Sequence, residues 1–200
     1  MTVQLLDVTL IGTGYLIGSV ASAIVVCRIW RLPDPRWQGS GNPGATNVLR
    51  MGGKAPAAAT LVGDVLKGVL PVTLGQWISV ETTTLVAIAL AAFLGHLYPV
   101  FFNFQGGKGV ATAFGALIGI APGAALITVG VWLLVALTTR FSSLAALSAA
   151  MLAPLVLWWL DQPQVVSVAL AIIAMFLVWR HRDNIQRLRA GREHRIGEKT

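Results

Sequence analysis

The chain has 200 residues, 56% of them hydrophobic and 12% charged, with a formal net charge of +7 and a mean hydropathy of +0.73. A soluble domain carries roughly 25% charged residues, so this composition excludes an ordinary soluble fold and implies an integral membrane protein. Nor does the positive charge indicate nucleic acid. The basic residues sit beside apolar runs rather than interleaved with aromatics on a polar surface, a pattern that suits anionic headgroups or phosphorylated substrates.

Uncharged stretches run over residues 8–27, 82–107, 109–139, 141–160 and 162–179, and 55–80 is interrupted only by Asp64 and Lys67. Each is long enough for a membrane helix of about 20 residues. Continuous rather than alternating apolarity favours helices over a β-barrel. Ala21-Ser22-Ala23 resembles a cleavage site, but no Lys or Arg precedes Arg28. The first stretch therefore reads as a retained helix, not a signal peptide. Cys27 is the single cysteine, which excludes an intrachain disulfide and a multi-cysteine metal site; at the end of a span it reads as a packing residue.

The basic residues fall at 28–54, Lys67, Lys108, Arg140 and 180–199. With the N-terminus outside, 28–54 lies in the cytoplasm, and the third helix returns to that side near Lys108. One span over 109–139 would put Arg140 outside, whereas two keep it inside. Ala121-Pro122-Gly123 supplies the break, since Pro and Gly both oppose helix continuation. The expectation is an all-α polytopic fold of seven transmembrane helices, N-terminus outside and C-terminus cytoplasmic, forming one membrane domain over 1–200. Residues 109–121 make about 20 Å of helix, short of the ~30 Å hydrocarbon core. The loop before them, 105–109, is therefore expected to dip toward a polar cleft. The tail beyond about 181 reads as an extension of the last helix.

Three polar segments then share the cytoplasmic side, at about 39–50, 95–112 and 180–193. In the first, GSGNPGATNVLR, Gly41, Asn42 and Gly44 admit positive φ and can turn backbone N–H groups toward an anion. Ser40, Thr46 and Asn47 add side-chain donors, and Arg50 offers a planar fork for phosphate. In the second, Gly106, Gly107, Lys108 and Gly109 lead into a helix whose start favours an anion. A flexible turn with a snorkelling lysine would look the same, because the spacing is not that of a Walker loop and no strand precedes it. His181 and Asn184 are spaced to share a face if the last helix continues. The basic residues around them also fit ordinary positive-inside anchoring. Asp64 and Lys67 are close enough to pair within a span, either as a functional site or as a neutralised packing pair. His96 reads equally as a site residue or a buried hydrogen-bonding one.

Taken together, GSGNPGATNVLR, GHLYPVFFNFQGGKGVAT and RHRDNIQRLRAGRE, with DVLKG in the second helix, resemble the signatures of the bacterial acyl-phosphate:glycerol-3-phosphate acyltransferases. The resemblance spans nearly the whole chain, in the same order. It implies acyl transfer from acyl phosphate to the 1-hydroxyl of glycerol 3-phosphate, giving 1-acyl-glycerol 3-phosphate and inorganic phosphate, without metal or cofactor. It also implies a place in the bacterial inner membrane, an active site facing the cytoplasm, and a functional link to the enzyme that forms acyl phosphate.

Carried over residue by residue, the resemblance implies catalytic roles for Ser40, Arg50, Lys108, His181 and Asn184. Substrate contacts fall to Gly41, Asn42, Gly44, Thr46, Asn47, Gly106, Gly107, Gly109, Thr112, Asp64, Lys67, His96 and Arg187. Glu193 is expected to be structural, tying the tail to a basic neighbour. A transporter or flippase of a phosphorylated solute or lipid would use similar anion sites, but it favours paired repeats and polar residues on both faces. No His is followed by Asp at the His-x4-Asp spacing, which excludes the mechanism of the acyl-CoA-dependent acyltransferases.

Overall fold

The computed structural model describes residues 4–198, which contain ten α-helices and no strands. The described chain divides at Ile120/Ala121 into two compact units. In the first, α1 (Leu5–Gly18) begins on a reciprocal cap between Gln4 and Asp7. It is followed by α2 (Ser22–Ile29), α3 (Ala45–Gly52), α4 (Lys54–Trp77), α5 (Thr82–Leu97), a 3-10 turn (Val100–Phe102) and α6 (Val110–Ile120).

The expected first helix is thus two helices, bent by 42° at residues 19–21. The short helix α3 arises where a loop was expected, so Thr46, Asn47 and Arg50 project from a helix. Pro99 closes α5, because the residue before a proline is pushed out of the helical region; Tyr98 has φ −129° and ψ 67°.

Small residues let these helices approach closely, the packing mode favoured between membrane helices. A Cβ at Gly18 would run into the Ala92 backbone, and one at Gly95 into the Tyr15 carbonyl. The α1–α5 contact is locked at both ends: Thr84 donates to Asp7 at 3.1 Å, and the Tyr15 hydroxyl donates to the Tyr98 carbonyl at 2.7 Å. Between α4 and α6, Gly68 faces the Thr112 carbonyl and Gly115 faces the Val65 carbonyl with no room for a side chain. Leu10, Val72, Leu85, Ile88, Ala89 and Ala116 fill the core between these contacts.

The second unit comprises α7 (Pro122–Thr139), α8 (Ser142–Trp159), α9 (Gln164–Arg180) and α10 (Arg182–Arg189). The break before α7 falls where proline and glycine predict it. Pro122 takes the first helical position, which tolerates its missing N–H. A stripe of buried alanines on α8, including Ala145, Ala149 and Ala153, admits its neighbours closely. The last helix does not run on straight, since α9 and α10 are bent by 60° at His181.

By length and composition, Lys54–Trp77, Thr82–Phe102, Pro122–Thr139 and Ser142–Trp159 can each cross a membrane, and the two bent pairs raise the number of spans to six. Val110–Ile120 is apolar but shorter, about 16 Å at 1.5 Å per residue. The chain is an integral membrane protein built from several apolar helices.

Candidate active site

The first motif is built around Asn47. Its side chain is 1% exposed. The amide oxygen accepts the Ser40 N–H at 2.9 Å, and the amide nitrogen donates to the carbonyls of Pro35 at 3.0 Å and Gln38 at 2.9 Å. Asn47 therefore uses donors and acceptor alike to hold residues 35–40. Gly39 and Gly41 take the left-handed conformation, with φ 63° and 69°, whereas Gly44 is extended at φ −153°. The Gly41 N–H donates to Gln38 and the Gly44 N–H to Asn42. What this segment presents outward is then side-chain chemistry: exposed Ser40, partly exposed Asn42 and Thr46, and the guanidinium of Arg50. Arg50 is half-buried and forms no hydrogen bond or ion pair among the described residues.

A clamp that the sequence reading missed braces this segment. The guanidinium of Arg36 donates to Asp34 at 2.7 and 3.0 Å, and reaches the Phe102 carbonyl at 3.4 Å. Those hydrogen bonds from Arg36 hold the Asp34 carboxyl below its usual range, against partial burial, and raise Arg36 in turn. The only sequence signal was an acid and a base two apart around Pro35, in a turn-forming stretch.

The second motif crosses directly over the end of α5. The Gly107 N–H donates to the His96 carbonyl at 3.2 Å. A Cβ at Gly107 would collide with His96 Nε2 and lie 2.9 Å from the Pro43 carbonyl. The second motif thus packs on the first, with glycine required by space. Gly106 is equally enclosed, against the His96 and Leu97 carbonyls, while Gly109 has φ 91° and abuts the Phe93 ring. Lys108 between them is partly exposed, and Thr112 lies in the first turn of α6. Its hydroxyl is 3.1 Å from His96 Nδ1.

Beneath the loop, the ammonium of Lys67 lies 2.9 Å from Asp64 and donates to the Val20 carbonyl at 2.9 Å. Asp64 is 3.6 Å from His96 Nδ1. Asp64, Lys67, His96 and Thr112 are all buried.

In the second unit, the bend at His181 brings the tail back onto the start of α8. Glu193 accepts from Ser143 at 2.7 Å, Asn184 at 2.6 Å and Arg187 at 2.8 Å. Burial raises its pKa, but these three donors outweigh burial and hold it below the ordinary carboxylate range. Arg140 and Ile196 exchange hydrogen bonds, at 2.7 Å to the Arg140 carbonyl and 3.0 Å to the Ile196 carbonyl. The tail is a clasp on the α7–α8 turn, where a plain helical extension was expected. Ser143, which gave no sequence signal, is part of that clasp. His181 Nδ1 lies 2.7 Å from the Leu177 carbonyl. A carbonyl can only accept, so Nδ1 carries the proton and Nε2 is the basic nitrogen of the neutral ring.

Among the described residues, no group of three or more His, Cys, Asp or Glu side chains is arranged to hold a metal ion.

The glycerol-3-phosphate acyltransferase family model matches residues 8–191. A glycerol-3-phosphate acyltransferase of Halorhodospira halophila is 57% identical over 194 residues, covering 96% of this chain and 98% of its own. One of Shewanella woodyi is 50% identical over 199 residues, covering 100% and 98%. A crystal structure of PlsY, an integral membrane glycerol 3-phosphate acyltransferase in its glycerol 3-phosphate form, superposes with a TM-score of 0.91 at 40% identity, over 96% of both chains. Its lysophosphatidic acid form gives 0.88 at 39% identity, over 96% and 95%. Sequence and fold thus agree from end to end: this chain belongs to the glycerol-3-phosphate acyltransferase family.

Proposed function

We propose that the chain transfers a fatty acyl group from acyl phosphate to the 1-hydroxyl of glycerol 3-phosphate, yielding 1-acyl-glycerol 3-phosphate and inorganic phosphate. The observation that carries this reading is the packing of two phosphate-suited segments on each other at Pro43 and Gly107; the first of them also carries Arg50, whose guanidinium forms no hydrogen bond or ion pair among the described residues. Family membership and the solved relatives' own ligands support it.

In this reading Arg50 and Lys108, with Ser40 and Thr46, hold the phosphate groups of the two substrates. The acceptor hydroxyl attacks the acyl carbonyl, a C–O bond forms, and the anhydride C–O bond breaks to release phosphate. Acyl phosphate is already an activated mixed anhydride, so no protein nucleophile or cofactor is required. Covalent catalysis would also want an activating base at the nucleophile, and the Ser40 hydroxyl has no hydrogen-bond partner among the described residues. The proton passes to the donor's own phosphate, with His181 Nε2 as the second candidate base. Asn184 and Arg187 are assigned to the acceptor, and alignment of the two substrates supplies much of the rate.

The chain acts as one acyltransferase domain with seven crossings, of which the short helix α6 is the fourth in chain order. Its N-terminus lies outside the bacterial inner membrane, and its motif segments face the cytoplasm, where an acyl-phosphate-forming enzyme supplies the donor. The deciding experiment incubates purified protein with glycerol 3-phosphate and radiolabelled palmitoyl phosphate, without acyl-CoA or acyl carrier protein. Lysophosphatidate is the expected product. Its absence would overturn the reaction, and label retained on the protein without acceptor would overturn direct transfer.

A further inference from the structure

We infer that Asp64, Lys67 and His96 form a buried positioning network that sets the 105–109 loop against the first motif, acting on substrate binding without touching substrate. The inference rests on the acyltransferase reading above and gives these three residues a different role from direct contact. The chain of contacts is continuous. Lys67 joins Asp64 to the Val20 carbonyl at 2.9 Å each, and Val20 lies in the break between α1 and α2, where the helix ladder is interrupted. Asp64 faces His96 Nδ1 at 3.6 Å, and Thr112 lies 3.1 Å from the same nitrogen. The opposite edge of the ring, at Nε2, fills the space where a Gly107 side chain would stand, and the Pro43 carbonyl closes the other side at 2.9 Å.

These groups are 3% to 6% exposed. A charged pair so deep in a span is tolerated only when its partners fix it, and a fixed pair makes a rigid base. Because Gly107 is wedged between His96 and Pro43, a displaced imidazole must move the loop. Misplacing a binding loop by a fraction of an ångström weakens the contacts it makes with substrate.

The test compares His96→Ala, His96→Asn and His96→Gln in purified full-length protein. It uses steady-state kinetics with glycerol 3-phosphate and palmitoyl phosphate, and amide hydrogen exchange of residues 105–109 without substrate. Asn reproduces only the Nδ1 edge, whereas Gln reaches the position of Nε2. The Ala and Asn variants are expected to raise the KM of one phosphorylated substrate about tenfold or more while kcat falls less than about threefold, and to speed exchange at Gly107. Gln fills the place of Nε2 against Gly107 but loses the Nδ1 link to Asp64, so it is expected to fall between wild type and Ala in both. A Gln variant equal to wild type, a loss confined to kcat, or unchanged exchange would each overturn the network. Wild-type turnover tests the acyltransferase reading separately, since the exchange measurement needs no reaction.

Lys67→Met alone leaves Asp64 unpaired and is liable to misfold. The double variant Asp64→Asn/Lys67→Met removes both charges but still lacks a donor to Val20, so it is expected to accelerate exchange at Gly107. Unchanged exchange there would sever the ion pair from the loop and overturn the network.

Discussion

Asn47→Ala removes the side chain on which the first motif is wound. Three hydrogen bonds vanish together: from the Ser40 N–H and to the Pro35 and Gln38 carbonyls. At about 1 kcal/mol net each, the loop loses about 3 kcal/mol. Ser40 is exposed and its N–H regains water, but Pro35 is buried, so its carbonyl adds a desolvation penalty. At roughly 1.4 kcal/mol per decade, the ordered loop becomes about a hundredfold less favoured against its open forms. We expect kcat/KM for acyl transfer from palmitoyl phosphate to fall by a comparable factor. Asn47→Asp is expected to be at least as damaging, because its carboxylate would face two carbonyl oxygens without a proton to give. The decisive measurement is amide exchange at residues 38–41 in substrate-free protein, which must quicken in both variants. If exchange there is unchanged while activity falls, Asn47 acts on substrate, and the loop-holding argument fails.

Arg50→Ala should lose most activity while the protein still inserts and elutes as a folded species; near wild-type turnover would remove Arg50 from the phosphate site. His181→Ala and Asn184→Ala should impair use of glycerol 3-phosphate, whereas Arg195→Ala, which loses only a stacking contact 5.6 Å from the Phe141 ring, should do little. Equal losses in all three would point to collapse of the tail instead. The Glu193 clasp has a definite pH dependence. Its carboxyl is held below the ordinary value of 4.5 in the folded tail, so its stabilisation is complete above that value and is lost as pH falls through the depressed one. Protease nicking near Arg195 should be pH-independent at neutrality and increase only in acid; increased nicking between pH 6 and 8 would contradict this. For topology, single cysteines at exposed Gln105 and Gln186 should react with an impermeant reagent from the cytoplasmic side, and those at exposed Gly123 and Asp161 from outside. Outside labelling at Gln105 would break the seven-crossing proposal.

The positions of most helices were legible because lipid imposes one simple rule on a spanning segment: apolar side chains throughout, with backbone groups satisfied within the helix. Apolar stretches therefore located α4, α8 and α9 closely and the start of α5 at Thr82, and Pro122-Gly123 located the break before α7. The bends at 19–21 and at His181, and the short helix α3, were not legible. Each depends on contacts from distant residues: Lys67 on the Val20 carbonyl, Glu193 across to Ser143, and Asn47 back to Pro35.

The chemistry of the candidate site divides in the same way. Residue type alone marked Ser40, Arg50 and Lys108 as phosphate-suited, although a flexible turn with a snorkelling lysine would carry the same residues in the second segment. It could not separate groups that face outward from groups consumed in holding the fold. Residue type left Asp64, Lys67 and His96 open between a site role and a packing role and offered Asn47 as a phosphate donor; all four are buried against protein partners. A polar side chain in a tight loop can satisfy either a substrate or the backbone, and only the three-dimensional arrangement of acceptors around it decides which. Likewise, composition marked Gly107 as flexible, whereas the packed chain makes it small by necessity, wedged between the imidazole of its own segment's His96 and the carbonyl of Pro43 in the first motif.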